Sequence, residues 1–337
     1  MALSSQQRVL ALKHLGKLTK FMPRSSKGGT AAAHGDAASS DWNEASLSPV
    51  VAATFHESVP AAIEAYRFFN RNYPKAEAEL HTDIVARAVE FGYMRWPRKI
   101  RHYVWNKDVL DVGCGRGVHG VGYILVGAKS YTGMDPILEL DLDRAKNVRT
   151  GAADSFGWTP RQIMAKCSRI TLLPATFESF PSDSSFDVAV LHNVTEHLIE
   201  IDEVMGRLAS YVKDGGLLIF NHHNFYCWNG HHMRPKRIDQ IDPSKPEQKQ
   251  FMDWAHISFE PPKGHYISRG LNKIRLDDLK ALVSRDYKIE IWDEIPSDAL
   301  NGGERLTDQI VAKFPELTRR DLQVHNVFCV ARRTNVG

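Results

Sequence analysis

Two crowded stretches of the chain carry residue types that do chemistry. The first is KDVLDVGCGRGVHG, Lys107 to Gly120, with four glycines packed behind Asp111. Glycines at the end of a buried strand let the backbone approach a ligand closely and leave the N–H groups of the next helix pointing at it. A dinucleotide pattern fits as Gly115-x-Gly117-x-x-Gly120, but Asp111 beside the loop repels a pyrophosphate and attracts a cation. The second stretch is NHHNFYCWNGHHMRPKRIDQIDPSKPEQKQFMDWAHISFEPPKGHY, with six histidines: His222, His223, His231, His232, His256 and His265. A neutral imidazole accepts a hydroxyl proton near neutral pH. His223 and His232 are the first candidates for such a base, followed by His222 and His256. No metal is expected, because adjacent imidazoles on an extended chain point to opposite sides. Trp228 and Trp254 either stack on an acceptor or pack in a core.

The elements that must position these residues follow from periodicity. Beyond Lys107, the apolar runs DVLDV, SYTGMD, RITLLPA, FDVAVLH and GGLLIFN alternate with helical stretches such as IDEVMGRLASYV. That alternation predicts an α/β fold with a mostly parallel sheet covered on both faces. YKIEIWD and NVFCVARR close the chain as an expected antiparallel pair at one edge, and residues 222–268 form an insertion after the fifth strand. Before the sheet, ESVPAAIEAYRFFNRNY and HTDIVARAVEFGYMRW read as two helices with Ser58 and Thr82 as capping candidates. The expected division is a basic N-terminal segment over 1–48, a helical cap over 49–104 and a sheet domain over 105–337. The cap is expected to cover the site's mouth or to pair subunits in a homodimer.

Asp111-x-Gly113-x-Gly115-x-Gly117 resembles motif I of the class I S-adenosylmethionine (SAM) dependent methyltransferases, whose fold is a Rossmann-like sheet with an antiparallel final strand. Further matches occur in order. Asp135 ends the second strand eighteen residues after Gly117, LLPATFESFPSDSSFDVAVLHNVTEHL resembles the third and fourth motifs, and KDGGLLIFN resembles the fifth strand. The resemblance implies SAM as cofactor. Asp111, Gly113, Gly115 and Gly117 would hold its methionine part with Asn193 facing it, Asp135 the ribose, and Thr176 and Phe177 the adenine. Thr176 stands where many members have Asp. His192-Asn193-Val194-Thr195 lacks the Asn-Pro-Pro-Tyr-like turn that accompanies methylation of nucleic-acid base amines. The insertion, at the carboxyl ends of the strands, would then line the acceptor pocket.

Charge and composition leave the partner class to the sites. A net charge of +3, from 43 basic and 40 acidic residues, does not mark a nucleic-acid binder. Cys114, Cys167, Cys227 and Cys329 form no Cys-x-x-Cys pair, which suggests a reducing, cytoplasmic setting. No run reaches the length of a membrane span. Residues 1–35 hold six basic and no acidic residues, with Leu12, Leu15, Leu18 and Met22 at helical spacing. This segment reads as a mobile tail, a peripheral membrane contact or an organellar targeting sequence. The expected function is O-methylation of a hydroxyl on a polar small molecule or glycan, with a His general base. N-methylation of a small amine, a SAM-binding regulator without turnover and a nicotinamide dehydrogenase are the alternatives.

Overall fold

The computed structural model describes residues 79–148, 151–177, 179–180 and 185–334. The basic N-terminal segment, the first helix of the cap and Ser58 lie outside these residues. Helices α1 (Thr82–Phe91), α2 (Arg95–Lys99) and α3 (Arg101–Val104) lead into β1 (Asp108–Val112). After β1 come α4 (His119–Val126), β2 (Ser130–Met134), a hairpin of β3 (Arg144–Lys146) and β4 (Ala153–Ser155), α5 (Pro160–Lys166) and β5 (Ile170–Leu173). Next are β6 (Phe186–His192), α6 (Ile201–Tyr211) and β7 (Val212–His223). The insertion is followed by α7 (Tyr266–Gly270), α8 (Leu276–Val283), β8 (Tyr287–Pro296), α9 (Asp308–Val311), α10 (Arg319–Gln323) and β9 (Val324–Arg333).

The main sheet has seven strands in the order β5-β2-β1-β6-β7-β9-β8. Only β9 runs against the rest, pairing antiparallel with β7 and with β8. The strand alternation seen in the sequence sorts side chains onto two faces. Val109, Val188, Ile219 and Val330 pack on one face against α1 and α4. Leu110, Ala189, Leu218 and Cys329 pack on the other against α6 and α8. The amphipathic pattern of α6 buries Ile201, Met205, Leu208 and Ala209.

Three local features depart from the sequence reading. Thr82 is the first helical residue of α1, and the capping position is His81 with no side-chain bond to the helix. The β3–β4 hairpin has exposed strands too short to show a period of two. Helix α5 also lacks a long apolar stripe, but Thr159 and Gln162 close a capping box ahead of it.

The insertion builds two small cores together with later parts of the chain. Trp228 and Trp254 pack with Phe314, Leu317 and Leu322, and Phe225 packs with Phe251, Ile267 and Leu271. Both tryptophans are fully buried, so neither offers a face to an acceptor. Trp254 Nε1 donates to the Leu322 carbonyl at 3.2 Å, which ties the insertion to α10.

Candidate active site

The glycine turn begins where β1 ends. Gly113 and Cys114 donate their N–H groups to the Met134 carbonyl at 2.9 and 3.2 Å, which folds the turn over the end of β2. Gly113 has φ +74°, and a Cβ there would meet Val194 at 2.6 Å, so the turn packs directly on the segment after β6. Gly115 has φ +60° and an open side with no atom within 4 Å of a built Cβ. Its N–H donates to Asp135 Oδ2 at 2.9 Å, while Asp135 Oδ1 accepts from the Ile137 N–H at 3.0 Å. Each carboxylate oxygen keeps a lone pair for a vicinal diol.

Asp111 is buried, and its Oδ2 accepts from the Tyr131 hydroxyl at 2.7 Å. Burial pushes its carboxyl up to about 7 against the lowering effect of Tyr131, and the nearby Asp135 charge adds to the rise. The Asp111 and Asp135 carboxyls are near enough for their charges to interact, and together they favour a cation beside the glycine turn. SAM presents an ammonium, a sulfonium and a ribose diol, and the donor set fits it. A pyrophosphate would meet two carboxylates.

The remaining residues expected around the cofactor are placed as follows. Thr176 is exposed in the loop after β5. Phe177 is buried and packs on Tyr211, with centroids 5.7 Å apart at 29°, so little of it is open to a base. Asn193 adopts φ +56°, donates its N–H to the Asn221 carbonyl and accepts from the Asn221 amide. His192, at the end of β6, stacks on Trp96 of α2 at 4.4 Å and 6°. The helical cap thus reaches the strand ends.

Beyond Asn193 the histidines converge. His223 Nε2 lies 3.1 Å from Asn229 Oδ1, so the ring donates there and its lone pair sits on Nδ1. Its ring stacks on His232 at 4.5 Å and 21° and meets His325 edge-on at 4.8 Å. Burial, then His325, lowers His223 to about 3, and burial with His223 lowers His232 to about 2. Both rings are neutral. His222 is buried with Nδ1 2.9 Å from Thr195 Oγ1, and burial lowers it to about 3. His256 is fully buried, with Nε2 2.9 Å from the Phe225 carbonyl. That burial takes His256 away from any acceptor proton, and its work is to hold the insertion together.

Sequence reasoning gave no role to several neighbours of His223 and His232. His325 is the second residue of β9 and lies beside the cluster because that strand runs antiparallel to β7, with His223 paired to Asn326. Glu196 and His197 form a short 3-10 turn after β6, where His197 meets His232 edge-on at 5.0 Å. The Glu-His dipeptide was visible in the sequence. Its nearness to His232 was not.

Comparison with known proteins identifies a family. A family model described as "Methyltransferase domain" matches residues 75–284, and the chain belongs to this family. The match begins ahead of α1, so the second cap helix is part of the family's domain. Among curated relatives, tRNA U34 carboxymethyltransferase of Enterobacter sp. (strain 638) is 28% identical over 127 residues, 37% of this chain and 35% of its own length. Ribosomal protein L11 methyltransferase of Shewanella baltica (strain OS185) is 32% identical over 114 residues, 34% of this chain and 32% of its own. The chain thus spans about a third of the length of these relatives. Among solved structures, N-methyltransferase NodS of Bradyrhizobium japonicum WM9 aligns with a TM-score of 0.40 and 10% identity, over 73% of this chain and 97% of its own. An S-adenosylmethionine-dependent methyltransferase from Mesorhizobium loti aligns at 0.40 and 19% identity, over 71% and 98%. Among the described residues no helix is long and apolar enough to cross a membrane.

Proposed function

We propose that the protein methylates a hydroxyl oxygen of a polar small molecule or sugar, with His223 receiving the hydroxyl proton. When bound, SAM supplies an electrophilic methyl group. Asp135, Asp111 and the Gly113–Gly117 turn would hold it, with Asn193, Thr176 and Phe177 at its periphery. The observation that carries the reading is the 3.1 Å contact between His223 Nε2 and Asn229 Oδ1. Asn229 Oδ1 accepts a hydrogen bond from the Nε2–H, which leaves Nδ1 with the lone pair. A hydroxyl acceptor needs a base and an amine acceptor less of one; burial lowers His223 to about 3, so it takes the proton only as the oxygen is methylated and its O–H becomes acidic. His232 stacks on His223 at 4.5 Å and supports its ring.

The test is transfer of isotopically labelled methyl from SAM to separate panels of polyols and sugars, phenols, small amines and unmodified tRNA. Label in an ether product is expected, with His223→Ala reducing kcat/KM by about 10²–10⁴-fold while binding of S-adenosylhomocysteine persists. Label only in amines or tRNA would overturn the reading, as would full activity of His223→Ala.

A further inference from the structure

We propose that Glu196, His197 and His232 form a binding site for a divalent transition-metal ion of the Zn²⁺, Mn²⁺ or Fe²⁺ class. One donor atom from each lies within 4.8 Å of the others. The three residues come from two distant segments, the turn after β6 and the insertion after β7. Glu196 is 2% exposed, and its Oε1 has no hydrogen-bond partner. A buried carboxylate oxygen left unpaired is costly unless something positive occupies the space in front of it. His232 Nε2 is buried and unpartnered in the same way.

His197 supplies the third donor in the form a metal ligand takes. Its Nδ1 lies 2.7 Å from the Gly270 carbonyl, so Nδ1 carries the proton and Nε2 holds the lone pair. A ligating histidine typically donates its other ring N–H to a carbonyl or carboxylate, which fixes the tautomer. The free Nε2 is 4.0 Å from Glu196 Oε1. Ligands about 2.1 Å from a tetrahedral ion stand roughly 3.4 Å apart, so a small side-chain contraction closes the site. Burial favours the neutral form of both imidazoles and raises the Glu196 carboxyl to about 7, so an ion binding there displaces the carboxyl proton.

Two nitrogens and one carboxylate oxygen leave a coordination position open. Resting on the hydroxyl-acceptor reading, that position takes the acceptor oxygen beside His223. A hydroxyl bound to the ion becomes more acidic. Its O–H bond then breaks, with the electron pair staying on oxygen and the proton passing to His223 Nδ1. The second group of donors, His223, Cys227 and His325, is a poorer site, because His223 Nε2 and Cys227 Sγ are both already directed at Asn229 Oδ1.

The experiment is titration of tag-free, chelator-treated full-length protein with Co²⁺ alone, read by visible ligand-field absorption. One equivalent is expected to bind, to be displaced by Zn²⁺, and to bind about a hundredfold more weakly or not at all in Glu196→Gln and His232→Asn. The variants Cys227→Ser and His325→Ala are expected to bind it unchanged. No saturable binding overturns the proposal, and so does binding that survives His232→Asn or is lost in Cys227→Ser. Calorimetry with S-adenosylhomocysteine reports on folding, and His197→Gln gives the same readout if Glu196→Gln does not fold. Methyl transfer to hydroxyls by metal-free protein would sink the metal and leave the acceptor reading standing.

Discussion

At the residue scale, the two acids of the cofactor crevice do different work. Asp135 has its oxygens oriented by two backbone N–H groups, whereas Asp111 has a single hydroxyl donor and is buried beneath the loop. The groups facing Asp111 are the Tyr131 hydroxyl, Asp135, Cys114 and Tyr123. Its folded pKa is raised from 3.8 to about 7, so burial penalises the charged form, and this carboxyl's contribution to stability falls as pH rises from about 4 through 7. A bound cation reverses that preference. SAM affinity is therefore expected to rise between about pH 5.5 and 7, by at most about tenfold per unit, and to level off above. Calorimetric titration at several pH values checks this, and Asp111→Asn is expected to bind more weakly with a flatter profile.

At the element scale, β9 joins the insertion to the sheet. Asn224, fully buried just past β7, donates from its amide to the carbonyls of Asp321 and Val324 at 2.7 Å each and accepts the Tyr226 N–H at 3.0 Å. Asp321 is bonded in turn by Thr318 and paired with Arg275 at 2.8 Å. Replacing Asn224 by Ala strands two buried carbonyls and one N–H. A loss of about 2–4 kcal/mol is expected, since each unsatisfied buried group costs about 1–3 kcal/mol and water recovers part of it. Denaturant unfolding measures it, and a change below about 1 kcal/mol would mean that the network relaxes.

At the scale of the whole molecule, the insertion is not a separable appendage. Its core includes Phe314, Leu317 and Leu322 from the far end of the chain, and Arg305 pairs with Asp253 across it at 2.5 Å. One cooperative transition is expected, with tryptophan fluorescence and far-ultraviolet circular dichroism giving coincident melting curves. An earlier fluorescence transition would show an independently melting insertion, because Trp228 and Trp254 report from its core.

The sequence by itself determined the class of fold and the glycine turn. Those rest on short-range patterns: alternating apolar runs, a glycine spacing and an acid at each of two successive strand ends, all readable without knowing what lies beside what. It also marked the insertion as rich in imidazoles. Which of them meet was decided only in three dimensions. His256 and Trp228 went into cores that draw on residues far along the chain, and the backward run of β9 set His325 against His223. The turn after β6 brought Glu196 and His197 to His232, with orphaned donor atoms facing one another. Such convergence depends on strand direction and on long-range packing, neither of which leaves a local period in the sequence.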